Sequence, residues 1–139
     1  MSKEAYDTSG DIYPIWGTCL GFEMLALLGN DGNPNLMACE AYNQTSQLDV
    51  HGEGTADYFR SLIIDEMPAT VMDTLTQVEA KATMNFHHWC LTAENFTQMQ
   101  MERFFLEPTF WSTDEEGLEY VAVLEVGTSL PYARVYVRC

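Results

Sequence analysis

Basic residues are the scarcest component of this chain. Lys3, Arg60, Lys81, Arg103, Arg134 and Arg138 stand against 21 acidic residues among 139, a formal charge of -15. With no basic stripe to displace phosphate counterions, nucleic acid is excluded as a partner. The acidic residues themselves read mostly as a solvated surface that keeps the protein in solution. Repeats and low-complexity linkers are missing; no secretory or transmembrane segment is read here either, which says little about where the protein goes, and no membrane partner is expected. The cysteines, Cys19, Cys39, Cys90 and Cys139, show neither C-x-x-C spacing nor a zinc-ligand arrangement with His51, His87 or His88. No metal and no cofactor are therefore expected. What is present is globular: 47% hydrophobic and 12% aromatic residues exclude a disordered tail, and the length suffices for one domain with a core.

The most informative stretch is Pro14-Ile15-Trp16-Gly17-Thr18-Cys19-Leu20-Gly21-Phe22-Glu23. A short β-type run breaks at a glycine, presents one cysteine, and passes through a second glycine into a helical pattern. A tight strand-to-helix turn crowds the side chains around a nucleophile, so small residues are expected two before and two after it, at Gly17 and Gly21. The following helix, expected to bury Phe22, Leu25 and Leu28 on one face, would aim its N-terminal N-H groups and partial positive charge at the sulfur. A thiol so placed becomes a usable nucleophile. From this spacing alone, a buried structural cysteine in a Gly-punctuated loop stands level with the nucleophile. If Cys19 stays free, three cysteines remain, allowing at most one disulfide and leaving one thiol over.

The rest of the chain reads as mixed α and β elements of a layered α/β fold. Gly29 to Asn35 is a turn signal, followed by a short apolar run at Leu36 to Cys39. Gln47 to Val50 alternates like a strand and stops at Gly52 and Gly54. Pro68 opens a helix through Val71, Met72 and Leu75. Phe104 to Thr113 and Glu119 to Val126 form two β segments joined by the turn Asp114 to Gly117, hence a hairpin, and Tyr132 to Val137 a final strand. His51-Gly52-Glu53 reads as a loop.

Two blocks carry a resemblance. The Cys19 stretch, and Asn85-Phe86-His87-His88-Trp89 with Leu91 and Glu94-Asn95-Phe96-Thr97 behind it, resemble the nucleophile and Asn-Phe-His-x-Trp motifs of the gamma-glutamyl hydrolases. These belong to the class I glutamine amidotransferase-like superfamily. The resemblance runs from about Tyr13 to about Pro131. It implies a flavodoxin-like α/β fold, here one partial domain over residues 1–139, incomplete at the N-terminus and near the C-terminal catalytic segment. It further implies cysteine-dependent hydrolysis of γ-glutamyl bonds in folylpoly-γ-glutamates through a thioester at Cys19. The backbone N-H of Leu20 would serve the oxyanion, and Glu23 and His87 would line the substrate cleft. Without the resemblance, Glu23 is an ordinary first-turn carboxylate and His87 a partly buried, hydrogen-bonded histidine.

The same resemblance implies a lysosomal or vacuolar and extracellular setting, favoured by the sequons Asn43-Gln44-Thr45 and Asn95-Phe96-Thr97. A homodimer stays open. In the family the general acid and base is a histidine of a His-Pro-Glu segment, whereas here the register puts Arg138 near that position, and arginine cannot act as a base. A polyanionic folate would also meet a repulsive long-range field. The alternative reading is therefore a catalytically inactive fragment with at most weak ligand binding. A glutamine amidotransferase that feeds ammonia to a partner shares the elbow, but the Asn-Phe-His-x-Trp block argues against it.

Overall fold

The structure, a computed structural model, describes residues 8–10, 15–33, 36–56, 58 and 61–126, and the backbone alone of 135–138. In chain order the elements are β1 (Ile15–Thr18), α1 (Leu20–Gly29), β2 (Met37–Ser46), β3 (Asp49–Val50), α2 (Leu62–Glu66), α3 (Ala69–Thr76), β4 (Thr83–Cys90), α4 (Ala93–Gln98), a 3-10 turn (Met101–Arg103), β5 (Phe110–Thr113), β6 (Glu119–Glu125) and β7 (Val135–Arg138). Five strands form one sheet in the order β1-β7-β6-β5-β3, and β2 pairs with β4 in a separate antiparallel ribbon. Among the described residues only β1 and β7 run parallel in the larger sheet; its other pairings are antiparallel. The fold is thus mixed α/β, as expected.

α1 is fixed by its stripe and its stop. Phe22, Ala26 and Gly29, spaced one and two turns apart, are its buried face, with Leu25 packed beside them. Leu28, expected on that face, is instead 69% exposed and lines up with exposed Leu20 and Met24 on the outer side. A helix with leucines on two faces does not reveal which of them is buried. Asp31 and Gly32 at φ 52° and 79° then turn the chain back, and Gly32 N-H closes onto the Leu27 carbonyl at 2.7 Å. Asn30 and Asn33 clamp this turn by exchanging side-chain to backbone hydrogen bonds of 3.1 and 3.0 Å.

β5 and β6 make the expected hairpin, although residues 104–109 contribute only an isolated bridge, Phe105 to Val126, rather than strand. A bulge gives β6 one extra residue, since Phe110 faces Val123 while its neighbour Trp111 faces Val121. The shift in parity sends Val121 and Leu124, three residues apart, into the same core with Trp111, Phe22, Leu91 and Phe96. Phe110 and Ala122 join Leu48 in a second core, covered by Ile63, Met67, Met72 and Leu75 around α2 and α3. Pro68 is the residue just before α3, consistent with its fixed φ and missing N-H.

The ribbon is patterned inside out. Along β4 the polar Thr83, Asn85 and His87 are buried while Met84 and Phe86 are exposed. Burial of polar groups holds only when they are paired, and here Ser46 Oγ gathers Thr83 Oγ1 at 3.0 Å, Asn85 Nδ2 at 3.0 Å and Ser112 Oγ of β5 at 2.8 Å. This network ties ribbon to sheet.

A second tie is the buried Asp114 in the hairpin turn. Its Oδ2 accepts the Glu40 N-H of β2 at 2.8 Å, and its Oδ1 accepts the N-H groups of Glu116 and Leu118 at 3.0 and 2.7 Å. Asp114→Ala would strip three charge-assisted bonds and is expected to cost about 2–3 kcal/mol. Urea unfolding would measure this; an unchanged midpoint would contradict the role.

Candidate active site

Cys19 sits where β1 turns into α1, at φ 55° and ψ -116°. A non-glycine residue in that region is strained, and such strain is held only where surrounding structure fixes it. The fixing is visible on both sides. Glu23 N-H bonds to the Cys19 carbonyl at 3.1 Å, starting the helix. Across the turn, a Cβ on Gly17 would stand 2.7 Å from the Gly21 carbonyl oxygen and 2.7 Å from a Leu25 methyl, so strand and helix approach too closely for any side chain there. The expectation for Gly21 is not met: a Cβ on it would touch nothing within 4 Å. The steric demand rests on Gly17 alone.

Cys19 is exposed and is a free thiol. Leu20, with its side chain in solvent, supplies the first N-H of a ten-residue helix, one of the groups that has no acceptor within the helix. Glu23, half-buried, lies one turn on in the same first turn of α1. Trp16 donates its indole N-H to Thr18 Oγ1 at 2.9 Å, holding its ring along the strand that leads into the elbow. Trp16 also lines an apolar hollow of about 170 Å³, walled further by Ile63, Met67 and Phe110 among others.

His87 is placed elsewhere at the same end of the sheet. In register, Thr18 pairs with Arg138 and Arg138 with Val123, so the end of β7 lies beside the elbow. Tyr120, against which the His87 ring stacks edge-on at 5.3 Å, is three residues further in the direction β1 runs, about 10 Å along the strand. Among the described residues no hydrogen bond joins His87 to Cys19. His87 is 4% exposed and directs Nδ1 toward the sulfurs of Cys90 and Cys39, at 3.6 and 3.8 Å, while Nε2 has no hydrogen-bond partner. The other histidines stand apart from the elbow too: His51 stacks on Trp111 with Glu119 at 3.6 Å, and His88 stacks on Tyr42.

Cys39 and Cys90 are joined in a disulfide across β2 and β4, which uses the single bridge that the cysteine count allowed; Cys139 lies outside the described residues. No cysteine–histidine ligand spacing is visible in the sequence, yet the fold brings three such residues together. Cys39, His87 and Cys90 present ligand-type atoms within 4.8 Å of one another. The signal was faint in sequence, because only His87-x-x-Cys90 is local and Cys39 arrives through the ribbon pairing.

Two outcomes follow from this geometry. Iodoacetamide at mildly acid pH is expected to alkylate Cys19 first, with Cys39 and Cys90 reacting only after reduction; mass spectrometry showing equal labelling of all three without reductant would contradict it. Burial, partly opposed by a backbone hydrogen bond with Trp89 and helped by nearby His88, lowers the His87 pKa below its ordinary 6.5. The unfolded chain then takes up the proton first as pH falls. His87 stability is full above that value and is lost as pH drops through about 6.5 toward the folded pKa. Urea midpoints from about pH 8 to pH 5 should decline less in His87→Gln than in the parent; equal declines would refute the assignment.

No family profile matches the chain. Among curated proteins it is similar to gamma-glutamyl hydrolase of Rattus norvegicus, 31% identical over 122 residues, which are 88% of this chain and 36% of that protein. Gamma-glutamyl hydrolase of Homo sapiens is 30% identical over 125 residues, 90% of this chain and 36% of the relative. Gamma-glutamyl hydrolase B of Dictyostelium discoideum is 26% identical over 117 residues, covering 84% and 32%. The chain thus spans about a third of the length of the curated relatives it matches. Over the segment it spans, the chain is similar to the gamma-glutamyl hydrolases at about 30% identity.

Proposed function

We propose that Cys19 is the nucleophile of a γ-glutamyl hydrolase acting on folylpoly-γ-glutamates. The observation that carries this reading is the strained, solvent-open elbow, with Cys19 at φ 55° and Gly17 closed to any side chain. The Cys19 sulfur attacks the carbonyl carbon of the γ-amide and the C-N bond breaks. The departing amine takes up the proton that the Cys19 thiol gives up, leaving a thioester. Water then adds to the thioester, releasing the carboxylic acid and restoring the thiol. The Leu20 N-H faces the oxygen on which charge develops. Glu23 holds the substrate from α1, whereas His87, buried against Tyr120 and the Cys39–Cys90 bridge, is not placed to touch it in this structure. The described strands are, in this reading, part of a flavodoxin-like sheet of the glutamine amidotransferase-like kind, whose ligands gather at the carboxyl ends of parallel strands. Lysosomal, vacuolar or secreted placement accompanies it, with exposed Asn43 as a glycan acceptor.

One observation favours a second reading, a family member that binds without turnover. Arg138 pairs with Thr18, next to the nucleophile, where the resemblance implies a histidine base. Incubation of the chain with a pteroyl-oligo-γ-glutamate separates the two. Appearance of shortened pteroyl-glutamates supports hydrolysis; unchanged substrate in the presence of measurable binding supports the second reading.

A further inference from the structure

We propose that reduction of the Cys39–Cys90 bridge converts the cluster of Cys39, Cys90 and His87 into a Cys2His site for a thiophilic divalent cation such as Zn2+. The proposal does not depend on what Cys19 does. All three residues are buried, and His87 Nδ1 already stands 3.8 and 3.6 Å from the two sulfurs. With Zn-S near 2.3 Å and Zn-N near 2.0–2.1 Å, ligand atoms of a tetrahedral ion lie about 3.6 Å apart from sulfur to nitrogen. The imidazole is therefore set for both sulfurs before any ion arrives. Once the S-S bond is broken, the sulfurs need only part to about 3.8 Å, within reach of side-chain rotation on two paired strands.

The chemistry balances. A dithiol reductant gives its two electrons and two protons to the bridge and becomes a disulfide itself, leaving Cys39 and Cys90 as thiols. Zn2+ then binds both sulfurs, releasing the two thiol protons to solvent, while neutral His87 donates its Nδ1 lone pair. Three protein ligands leave the fourth position to water. His87 Nε2 lacks the usual second hydrogen bond, so affinity falls below that of a closed structural zinc site.

The test uses the full chain carrying Cys19→Ser and Cys139→Ser, reduced with a non-chelating phosphine and titrated with Co2+ as a spectroscopic probe. The expected result is a thiolate-to-cobalt charge-transfer band that saturates at one ion per chain and is displaced by Zn2+. The band should vanish after reoxidation, and His87→Gln should weaken binding by at least about tenfold. Zn2+ should also raise the thermal midpoint of the reduced chain and leave the oxidised chain unmoved, a readout that holds even if reduction loosens the fold. Absence of the band, or a band and affinity unaltered in His87→Gln, would overturn the proposal. So would a reduced chain whose melting ignores Zn2+.

Discussion

On the proposed mechanism, Cys19→Ala is expected to lower the rate of γ-glutamyl release by about 10⁴-fold or more, because removing the proposed nucleophile leaves only binding and oxyanion contacts. The substitution should leave stability nearly unchanged. The thiol is exposed and bridges nothing, and the strained backbone at φ 55° is held by Gly17 and by the first helical hydrogen bond rather than by the sulfur. A large drop in melting temperature would mean that Cys19 is structural after all. Chromatographic assay of pteroyl-oligo-γ-glutamate cleavage, run beside thermal unfolding of the same preparations, measures both sides. Retained hydrolysis in the alanine variant would remove Cys19 from the mechanism.

The second large effect is on stability. The Cys39–Cys90 bridge closes a loop with a sequence separation of 51, and the chain-entropy relation for a loop of that size gives about 4 kcal/mol. Against the roughly 5–15 kcal/mol that separates a domain from its unfolded state, that is a large share. The bridge also pins the ribbon whose inner face is polar. Without it, the Ser46, Thr83, Asn85 and Ser112 network and the Asp114 bond to Glu40 must hold the ribbon on the sheet. Cys39→Ser with Cys90→Ser is therefore expected to lower the urea midpoint by more than about 1 M. A midpoint within error of the parent would show that the ribbon is held by other contacts.

Parts of this architecture were open to sequence reading because local chemistry decided them. The elbow declares itself through a glycine that no other residue can replace, the hairpin through Asp114 to Gly117, and the start of α3 through Pro68. Other parts were decided by partners distant in the chain. Leu25 and Leu28 look alike along the helix, yet only Leu25 packs against the buried core and Leu28 is exposed. β2 hides its length behind bulges and Asn43 at φ 56°, which break its alternation and make a ten-residue strand read as a short apolar run. β4 inverts the usual rule by burying its polar residues, so the surroundings of His87 followed from the ribbon pairing and not from its neighbours in sequence. Of the candidate site, the Cys19 to Glu23 arm was legible; the place of His87, beside a disulfide and against Tyr120, was not.

Rapid acid quench of the chain during incubation with a pteroyl-oligo-γ-glutamate, followed by peptide mass analysis, tests the central claim most directly. The expected result is a thioester-linked pteroyl-glutamyl adduct on the peptide that contains Cys19, absent from Cys19→Ala. Substrate consumed with no adduct at Cys19, or an adduct on another residue, would contradict it.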